Sequence, residues 1–386
     1  LGFLGFFKYC NFFLENFVDA FSLFGMQINA NSLNIILPVG ISFYTFQTLS
    51  YTIDIYRGTL KPTKSLLSFS TYIAFFPQLV AGPIERASNL LPQIENKRHF
   101  NNKSFNEGIL QIIIGLFRKI VIADNIANYV DIVYTNPEIH SSTTLTIATV
   151  LYAFQIYYDF SGYSDIAIGT AKLLGIEFKQ NFNLPYFSKS LSEFWRKWHI
   201  SLSFWLRDYL YIPLGGNRKN LFLTYRNLFL VMVIGGLWHG SDWKFVIWGA
   251  IHGGALCIER ILSKSNSIFI TKTRLYFGRI STLVIVLIAW VFFRATNFDS
   301  AIIILHKIFQ LDFSMPFIGS STTIVNIIIS LSIGLSIDFF LKKKKLHLEA
   351  LGGELSFSSL IALIVTLVIL INFLFSNSVN FIYFQF

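Results

Sequence analysis

The chain has 386 residues, of which 53% are hydrophobic and only 13% are charged, and its net charge is +10. Soluble domains carry about a quarter charged residues, so this composition excludes an ordinary soluble protein. Lys and Arg cluster at the ends of apolar runs, as they do in cytoplasmic loops of membrane proteins. No polar domain is left to present a basic face, so the charge does not indicate a nucleic-acid partner. We predict an all-α, polytopic integral membrane protein.

The first half of the chain contains apolar runs close to the roughly 20 residues that cross a bilayer. We predict membrane helices over 1–24, 33–56, 66–80, 108–123 and 143–160. The loops between them are polar, and His99 and His140 are expected to be solvated there. Arg118, Lys119 and Asp124 are expected to flank the fourth helix.

The third of these runs ends at a helix-breaking Gly82-Pro83 pair, followed by Glu85 and Arg86. Such a break at membrane depth is expected only where protein covers the backbone or where it lines a cavity. We predict instead an ordinary helix end with an interfacial ion pair between Glu85 and Arg86, and we keep the cavity as the alternative.

Four polar residues lie between two apolar runs at Asp159, Ser161, Ser164 and Asp165. Ser161 and Asp165 share a face if the segment is helical, because they are four residues apart. This pattern indicates either the polar wall of a tunnel, which holds the substrate or orients a histidine, or a pair of capped helix ends. Both interpretations stay open.

The segment 192–212 is predicted to be one amphipathic helix that lies in the membrane interface or is partly inserted. His199 lies on its polar stripe, beside Arg196, Ser203 and Arg207. Its aromatic and apolar residues recur at steps of three and four, which places them on one face. They are Trp195, Trp198, Leu202, Trp205, Tyr209 and Ile212.

A hairpin of two membrane helices is predicted next. The first, 221–238, places His239 at its end, and the second, 243–258, carries His252 between Gly249 and Gly253-Gly254. Small residues let helices approach closely, so this hairpin can surround a narrow cavity.

Further apolar runs cover 277–293, 301–309, 324–341 and 356–373, which makes about ten membrane segments in all. By the positive-inside rule the basic run 342–345 is cytoplasmic, so the tail after the last span faces outward. His306 and His347 lie at the ends of segments and are expected to be solvated.

Three of the seven histidines, His199, His239 and His252, lie within 54 residues. A buried, neutral imidazole can act as a general base near neutral pH, which suits the transfer of an acyl group from a thioester to a hydroxyl. Asp242, Asp159 or Asp165 could orient the imidazole, and spacing does not decide between them. The sequence lacks H-E-x-x-H, G-x-S-x-G and Walker A motifs, which disfavours a zinc hydrolase, an esterase of that type and an ATP-driven pump.

Four stretches form long motifs: FFPQLVAGPIERASNLLPQ at 75–93, DFSGYSDIAIG at 159–169, FWRKWHISLSFWLRDYLYIPLGGNR at 194–218 and GGLWHGSDWKFVIWGAIHG at 235–253. They resemble the membrane-bound O-acyltransferase (MBOAT) family. Within it they are most similar to the bacterial polysaccharide and peptidoglycan O-acetylation branch, the AlgI and PatA type, with the DltB type of teichoic-acid D-alanylation as a cousin.

The resemblance implies a ring of helices around a central tunnel, with interfacial and re-entrant helices. It implies that His239 is the catalytic histidine and that His199 is its partner. Tyr383, in the C-terminal FIYFQF, would be an acyl relay, whereas an aromatic belt that anchors the terminus is the alternative from the residues alone. The other predicted supporting or tunnel residues are Asp159, Ser161, Asp165, Trp238, Asp242 and His252.

We therefore expect one membrane-embedded acyltransferase domain over 1–386, with a catalytic histidine core at 192–258 and an extracytoplasmic tail at 376–386. Family members usually carry further N-terminal spans, and this chain starts inside an apolar run at Leu1. We expect that N-terminal spans are missing.

The expected function is the passage of acetyl groups from a cytosolic donor, acetyl-CoA or an equivalent activated carrier, across the bacterial cytoplasmic (inner) membrane. The acceptor would be a cell-envelope or exported polysaccharide such as peptidoglycan or alginate. A periplasmic or extracellular SGNH or esterase-like acetyltransferase partner would deliver the group; membrane lipids surround the protein, and no bound cofactor or metal is expected. The alternatives are a proton-coupled transporter that uses His239 and Asp165, a non-catalytic scaffold, and D-alanyl transfer.

Overall fold

A computed structural model of the chain describes residues 1–26, 28, 33–79, 82–263, 268–344, 348–375, 379 and 381–382. These residues form helices and turns and contain no β-strand, in agreement with the predicted all-α class. The helices in chain order are α1 (Gly2–Leu4), α2 (Cys10–Ser22), α3 (Ile41–Tyr56), α4 (Leu66–Ala74), α5 (Phe76–Leu79), α6 (Ala87–Glu95), α7 (Asn102–Leu116), α8 (Asp124–Thr135), α9 (Ser142–Leu173), α10 (Leu191–Trp195), α11 (Ile200–Leu206), α12 (Leu221–His239), α13 (Trp243–Ser263), α14 (Ile268–Arg294), α15 (Phe298–Phe309), α16 (Ser321–Lys344), α17 (Leu348–Glu354) and α18 (Phe357–Leu374).

Three π-helical segments continue these helices: Gly5–Tyr9 joins α1 to α2, Phe117–Ala123 joins α7 to α8, and Arg207–Tyr211 extends α11. Single π turns inside helices are rare and occur often at functional sites. Two 3₁₀ turns, Pro137–Ile139 and Pro185–Phe187, lie in connections.

Five described helices are long and apolar enough to cross a membrane: α12, α13, α16, α18 and the part of α14 at Phe277–Arg294. The helices of the first half are short, as is α3 with 16 residues, or contain buried charged residues, as α9 does. The structure therefore has the helical architecture of a multi-pass membrane protein, and the arrangement of ten segments around a tunnel stays a prediction.

Helix α9 forms the centre of the bundle and runs for 32 residues without interruption through Asp159, Ser161, Ser164 and Asp165. The interpretation of this junction as two capped helix ends is therefore wrong. Its polar side chains face protein on neighbouring elements rather than the free N–H groups of a helix end.

Two glycine pairs set how closely α9 packs against α7. A Cβ atom on Gly115 would lie 2.6 Å from the carbonyl oxygen of Gly162, and one on Gly169 would lie 2.6 Å from that of Gly108. Backbone atoms cannot move aside as a flexible side chain can, so the two helices require glycine at these contacts.

The α12–α13 hairpin packs as the sequence predicted. An added Cβ on Gly249 would overlap the backbone of Met232, and one on Gly253 would lie 3.0 Å from the Cα of Phe229. Gly254 is different, because an added Cβ there would meet nothing within 4 Å. The small residues at Gly249 and Gly253 therefore bring the two helices into backbone contact beside the histidines.

The predicted single helix over 192–212 is wrong, because the chain breaks at His199. Helix α10 ends at Trp195, His199 adopts a left-handed conformation with φ of +42°, and α11 starts at Ile200. The aromatic stripe does not face the interface either: Trp198 and Leu202 are buried in the core, although Ile212 is half exposed. The spacing of the stripe is kept across the break because Trp195 on α10 and Trp205 on α11 both pack against the core, and Trp198 in the turn between them is buried.

Two expected surface features are also corrected. His140 is buried rather than solvated, with its ring 5.3 Å from that of Phe317. Glu85 and Arg86 do not pair with each other: Glu85 is buried and accepts hydrogen bonds from the Lys179 N–H and from Asn89, whereas Arg86 pairs with Asp208. His99 and His306 are exposed as expected, and His347 lies outside the described residues.

We predict that Gly162→Ala destabilises the protein by about 1–3 kcal/mol, the usual cost of overpacking. The new Cβ would lie 2.7 Å from the carbonyl oxygen of Gly115, so α7 and α9 must separate. Gly254→Ala is the matched control: its Cβ has open space, and Ala is the better helix former by about 1 kcal/mol. Thermal unfolding in detergent measures both variants. The unfolding midpoint should fall for Gly162→Ala and rise for Gly254→Ala relative to the wild-type protein, and equal shifts would contradict the close helix contact.

Candidate active site

His239 is the last residue of α12, and side chains from the start of the chain cap that helix. The Lys8 ammonium donates to the carbonyl oxygens of Trp238 at 2.8 Å and His239 at 2.9 Å, and the Tyr9 hydroxyl donates to that of Leu237 at 2.8 Å. The last carbonyls of a helix have no partner within the helix, so a buried helix end requires such groups. The backbone that carries His239 is therefore held by direct hydrogen bonds.

Lys8 and Tyr9 were missed as site residues in the sequence. The available signal was the position of Lys8, a charged residue inside a Phe-rich apolar run, where a cation is costly unless it has a partner. Gly240, directly after the helix, packs so closely against the Phe245 ring that an added Cβ would overlap it.

His199 is held by Asn181 at the break between α10 and α11. The Nδ1 atom of His199 lies 3.2 Å from the Oδ1 of Asn181, which also accepts from the Ser201 hydroxyl at 2.9 Å, while the Asn181 amide group donates to Ser164 at 3.2 Å. The Ile200 N–H donates to the Asn181 carbonyl oxygen at 2.9 Å. Asn181 acts as an acceptor here, so His199 carries its proton on Nδ1 and has a lone pair on Nε2.

The Nε2 atom of His199 is buried and has no hydrogen-bond partner among the described residues. The neutral ring thus has one nitrogen anchored by Asn181 and one nitrogen that makes no hydrogen bond to these residues. Asn181 was also missed in the sequence, because nothing local marks an Asn that contacts a histidine 18 residues away.

The three histidines of the predicted core belong to one aromatic cluster. The ring of Trp238 lies 6.3 Å from that of His199 and 4.9 Å from that of His239, centroid to centroid. Trp248 continues the cluster, 5.0 Å from His239 and 4.8 Å from His252. The structure therefore brings together four predicted site residues, His199, Trp238, His239 and His252, and adds Trp248.

His252 occupies the most enclosed position in this cluster. It is fully buried, and its ring packs against Trp195 at 5.1 Å and Trp248 at 4.8 Å. Neither of its ring nitrogens has a hydrogen-bond partner in the described part of the chain. Its surroundings are aromatic, so its contacts are those of a packing residue that supports Trp248.

A family model matches residues 63–302 of this chain: MBOAT, the membrane-bound O-acyltransferase family. The chain belongs to the membrane-bound O-acyltransferase family. The matched region includes His199, His239 and His252 with their aromatic neighbours, so the cluster lies within the family domain.

Similar proteins include the probable alginate O-acetylase AlgI of Pseudomonas aeruginosa, 45% identical over 300 residues, or 77% of this chain and 56% of the relative. The peptidoglycan O-acetyltransferase of Helicobacter pylori is 40% identical over 328 residues, or 78% of this chain and 61% of the relative. The teichoic acid D-alanyltransferase of Bacillus subtilis is 28% identical over 246 residues, or 60% of this chain and 61% of the relative. The chain spans little more than half the length of the alginate relatives.

The carboxylates of this MBOAT chain that were predicted to orient a histidine have other partners. Asp165 pairs with Arg118 at 2.7 Å and accepts from Gln111 at 3.2 Å. Asp159 pairs with Lys119 at 2.9 Å, and Asp242 accepts from a backbone N–H at the start of α13.

The polar side of α9 lines one small cavity, and its role as the wall of a tunnel stays a prediction. A cavity of about 30 Å³, large enough to hold a water molecule, is lined by Ser164, Asp165, Arg118 and Asn181 among others. It therefore lies beside the residue that holds His199. Ser161 is buried on the same helix without a hydrogen-bond partner among the described residues.

Arg118 and Lys119 do not flank a membrane helix, as the sequence suggested, but lie inside the bundle on the π segment. Arg118 is buried between Asp165 and Asp338, each 2.7 Å away. Lys119 contacts Asp124 at 2.7 Å and Asp159 at 2.9 Å. Each cation thus has two carboxylates, which satisfies the requirement that buried charges be paired.

The C-terminal tail enters the bundle beside these ion pairs. Asp159 accepts from the Ile382 N–H at 2.8 Å, and Lys119 donates to the Val379 carbonyl oxygen at 2.9 Å. The ring of Phe381 packs 5.9 Å from that of Phe160, which in turn lies 4.7 Å from the ring of His199. Tyr383 follows directly and lies outside the described residues.

We predict that Arg118→Met destabilises the protein by about 3–5 kcal/mol, because it leaves the Asp165 and Asp338 carboxylates buried without a cation. The triple variant Arg118→Met, Asp165→Asn, Asp338→Asn should recover much of that loss, since no uncompensated charge remains. Thermal unfolding in detergent measures both.

The matched control for this prediction is Arg207→Met. Arg207 is half exposed and pairs with Asp208, which keeps Arg86 as a second partner, so a loss below about 1 kcal/mol is expected. A triple variant less stable than Arg118→Met alone would contradict the electrostatic explanation.

Proposed function

We propose that this chain forms the membrane-embedded part of an O-acetyltransferase. It would pass acetyl groups from a cytosolic thioester donor, such as acetyl-CoA, across the bacterial inner membrane for O-acetylation of a cell-envelope or exported polysaccharide. The observation that carries the proposal is the buried cluster of His199, Trp238 and His239, in which His199 has an anchored Nδ1 and an Nε2 lone pair with no hydrogen-bond partner among the described residues. Relatives named for O-acetylation of alginate and peptidoglycan support the substrate class.

In the proposed reaction a neutral imidazole of His239 takes the proton of the acceptor hydroxyl while the hydroxyl oxygen attacks the thioester carbonyl carbon. The tetrahedral intermediate expels the thiolate, which takes the proton back from the imidazolium of His239. The products are an acetyl ester and a free thiol. The acceptor hydroxyl has a single proton, which goes to His239, so the Nε2 lone pair of His199 accepts a hydrogen bond from an N–H or O–H group of the bound acyl donor and positions the thioester for attack.

The first acceptor in this proposal is the phenol of Tyr383. Its described neighbours support the assignment, because Phe381 and Ile382 are buried and the ring of Phe381 packs on Phe160, which packs on His199. Acetylated Tyr383 would then give the group to an extracytoplasmic SGNH or esterase-like partner, which transfers it to the sugar hydroxyl.

D-alanyl transfer is a second candidate, supported by the D-alanyltransferase relative at 28% identity. The acetyl-transferring relatives are more similar, at 40–45% identity. A proton-coupled transporter receives no support from Asp165, because that carboxylate is engaged by Arg118 and Gln111. We therefore favour acetyl as the transferred group.

The test is acetyl labelling of membranes that contain the full protein, with labelled acetyl-CoA as the donor. We predict that the wild-type protein becomes labelled and that His239→Ala lowers the labelling rate by about 10²–10⁴, the contribution of a general base. Tyr383→Phe should abolish the label, because it removes the acceptor hydroxyl while it keeps the ring.

His306→Ala is the matched control, since His306 is exposed on α15, and it should label at the wild-type rate. Label that survives Tyr383→Phe and falls only with His239→Ala would keep the enzyme and reject the relay. If no form is labelled and polysaccharide acetylation is unchanged in the variants, the catalytic assignment is wrong. If the protein is labelled only with a D-alanyl donor, the transferred group is D-alanyl rather than acetyl.

A further inference from the structure

An apolar cavity of about 380 Å³ lies away from the histidines, between α9, α14, α16 and the turn Pro185–Phe187. Its volume is within the range of about 300–1,000 Å³ that is typical of ligand pockets. Its wall is almost entirely apolar, and the Asp338 carboxylate on it is neutralised by Arg118 and bonded to the Tyr158 hydroxyl. The cavity therefore suits a hydrocarbon chain.

The cavity opens sideways between helices, toward the surface that faces lipid. Its lining includes Val150 on α9, Leu283 on α14 and Leu335 on α16, and each of these is more than a third exposed. Both α14 and α16 are candidate membrane spans, so the exposed rim lies at membrane depth. A molecule can thus enter from the bilayer without crossing the aqueous phase.

A group of cations lies at one end of this cavity. The Lys342 ammonium lies 3.9 Å from the ring centroid of Phe187, which lines the cavity. Arg279 is one helical turn before Leu283, and its neighbour Gly278 approaches the carbonyl of Lys189 so closely that an added Cβ would lie 2.5 Å away. These contacts place Lys342, Arg279 and Lys189 at the same end of the cavity, beside Phe187.

The positive and negative side chains at this end of the cavity do not balance. Arg279, Lys197 and Lys189 all act electrostatically on Lys342, and Glu193 is the acidic group that opposes them. Glu193 forms an ion pair with Lys197 at 2.6 Å, which leaves Lys189, Arg279 and Lys342 as an excess of positive charge. Lys189, Arg279 and Lys342 are exposed, as groups that bind a headgroup at the membrane surface would be.

The cations and the cavity lie at the depths that a phospholipid requires. By the positive-inside rule the Lys-rich end of α16 is in the cytoplasmic leaflet, which carries the anionic lipids. On α14, Arg279 precedes the lining residue Leu287 by eight residues, or about 12 Å along the helix. The charge is therefore at headgroup level, and the cavity extends from it toward the bilayer centre.

We propose that this site binds one anionic phospholipid of the cytoplasmic leaflet, with its phosphate at Lys342, Arg279 and Lys189 and one acyl chain in the cavity. A long-chain acyl thioester has the same combination of an anionic head and an apolar chain. The lateral opening favours the lipid, which is already in the bilayer. The site is separate from the histidine cluster and does not depend on the proposed function.

The experiment measures lipid binding to the full protein in neutral detergent by native mass spectrometry. Phosphatidylglycerol is compared with phosphatidylcholine of the same chains, and a long-chain acyl-CoA is added as a competitor. We expect the anionic lipid to bind more tightly, and Lys342→Gln with Arg279→Gln to weaken its binding by on the order of tenfold, since each lost cation near the headgroup weakens binding. Phosphatidylcholine binding should change little in that variant.

The matched control is Lys343→Gln with Lys344→Gln, which removes the same charge from the same basic run and should leave the lipid preference unchanged. Leu283→Trp fills the rim of the cavity, keeps the cations and should weaken the binding of both lipids.

Each variant is first shown to elute from a size-exclusion column as the wild-type protein does. Equal binding of the two lipids, or an equal loss in the control, would overturn the proposal, and displacement by acyl-CoA but not by added phosphatidylglycerol would assign the site to a thioester.

Discussion

A buried charge in a largely apolar helix bundle requires an opposite charge or hydrogen-bonding groups, and the pairing of opposite charges organises the centre of the protein. Arg118 and Lys119 are consecutive residues with different sets of partners. Arg118 joins α9 to α16 through two carboxylates, whereas Lys119 joins α9 to α8 and to the C-terminal tail. Because the π segment presents both cations to the interior, elements that are more than 200 residues apart in sequence share one electrostatic centre.

The position of His199 follows from this centre. Asp159 and Asp165 fix two points on α9, and the residues between them include Phe160, which packs on His199, and Ser164, which binds Asn181. The glycine contacts between α7 and α9 set the depth at which those ion pairs form. The ion pairs thus contribute to the site by locating a helix, while the histidines themselves lie in an aromatic environment.

Features that depend on local chemistry could be predicted from the sequence. The end of α12 at His239 follows from Gly240 and the polar residues after it, and the close hairpin follows from Gly249 and Gly253. The break at His199 could not be predicted, because a stripe with steps of three and four is the same in one long helix and in two short ones. The residues at the break are instead bound by Asn181, which lies on a separate segment and contacts His199, Ile200 and Ser201.

The location predicted from the sequence for the buried cations Arg118 and Lys119 was also wrong, for a related reason. Arg118 and Lys119 follow an apolar run, and such residues usually mark a membrane boundary. Their carboxylate partners lie as far as 220 residues away, and no local pattern joins them. Lys8 was missed for the same reason. Its partners are carbonyl oxygens at the C-terminal end of α12, a helix that begins more than 200 residues later in the chain.

Lys8 also bears on the protonation state of His239. The C-terminal end of a helix carries a partial negative charge, which stabilises a cation placed there. At the end of α12 that cation could be either the Lys8 ammonium or the imidazolium of His239. Lys8 binds the carbonyl oxygens of Trp238 and His239 directly, so it compensates the helix end. The imidazole can then remain neutral, and in a buried aromatic cluster the neutral form is the one able to accept a proton from a hydroxyl.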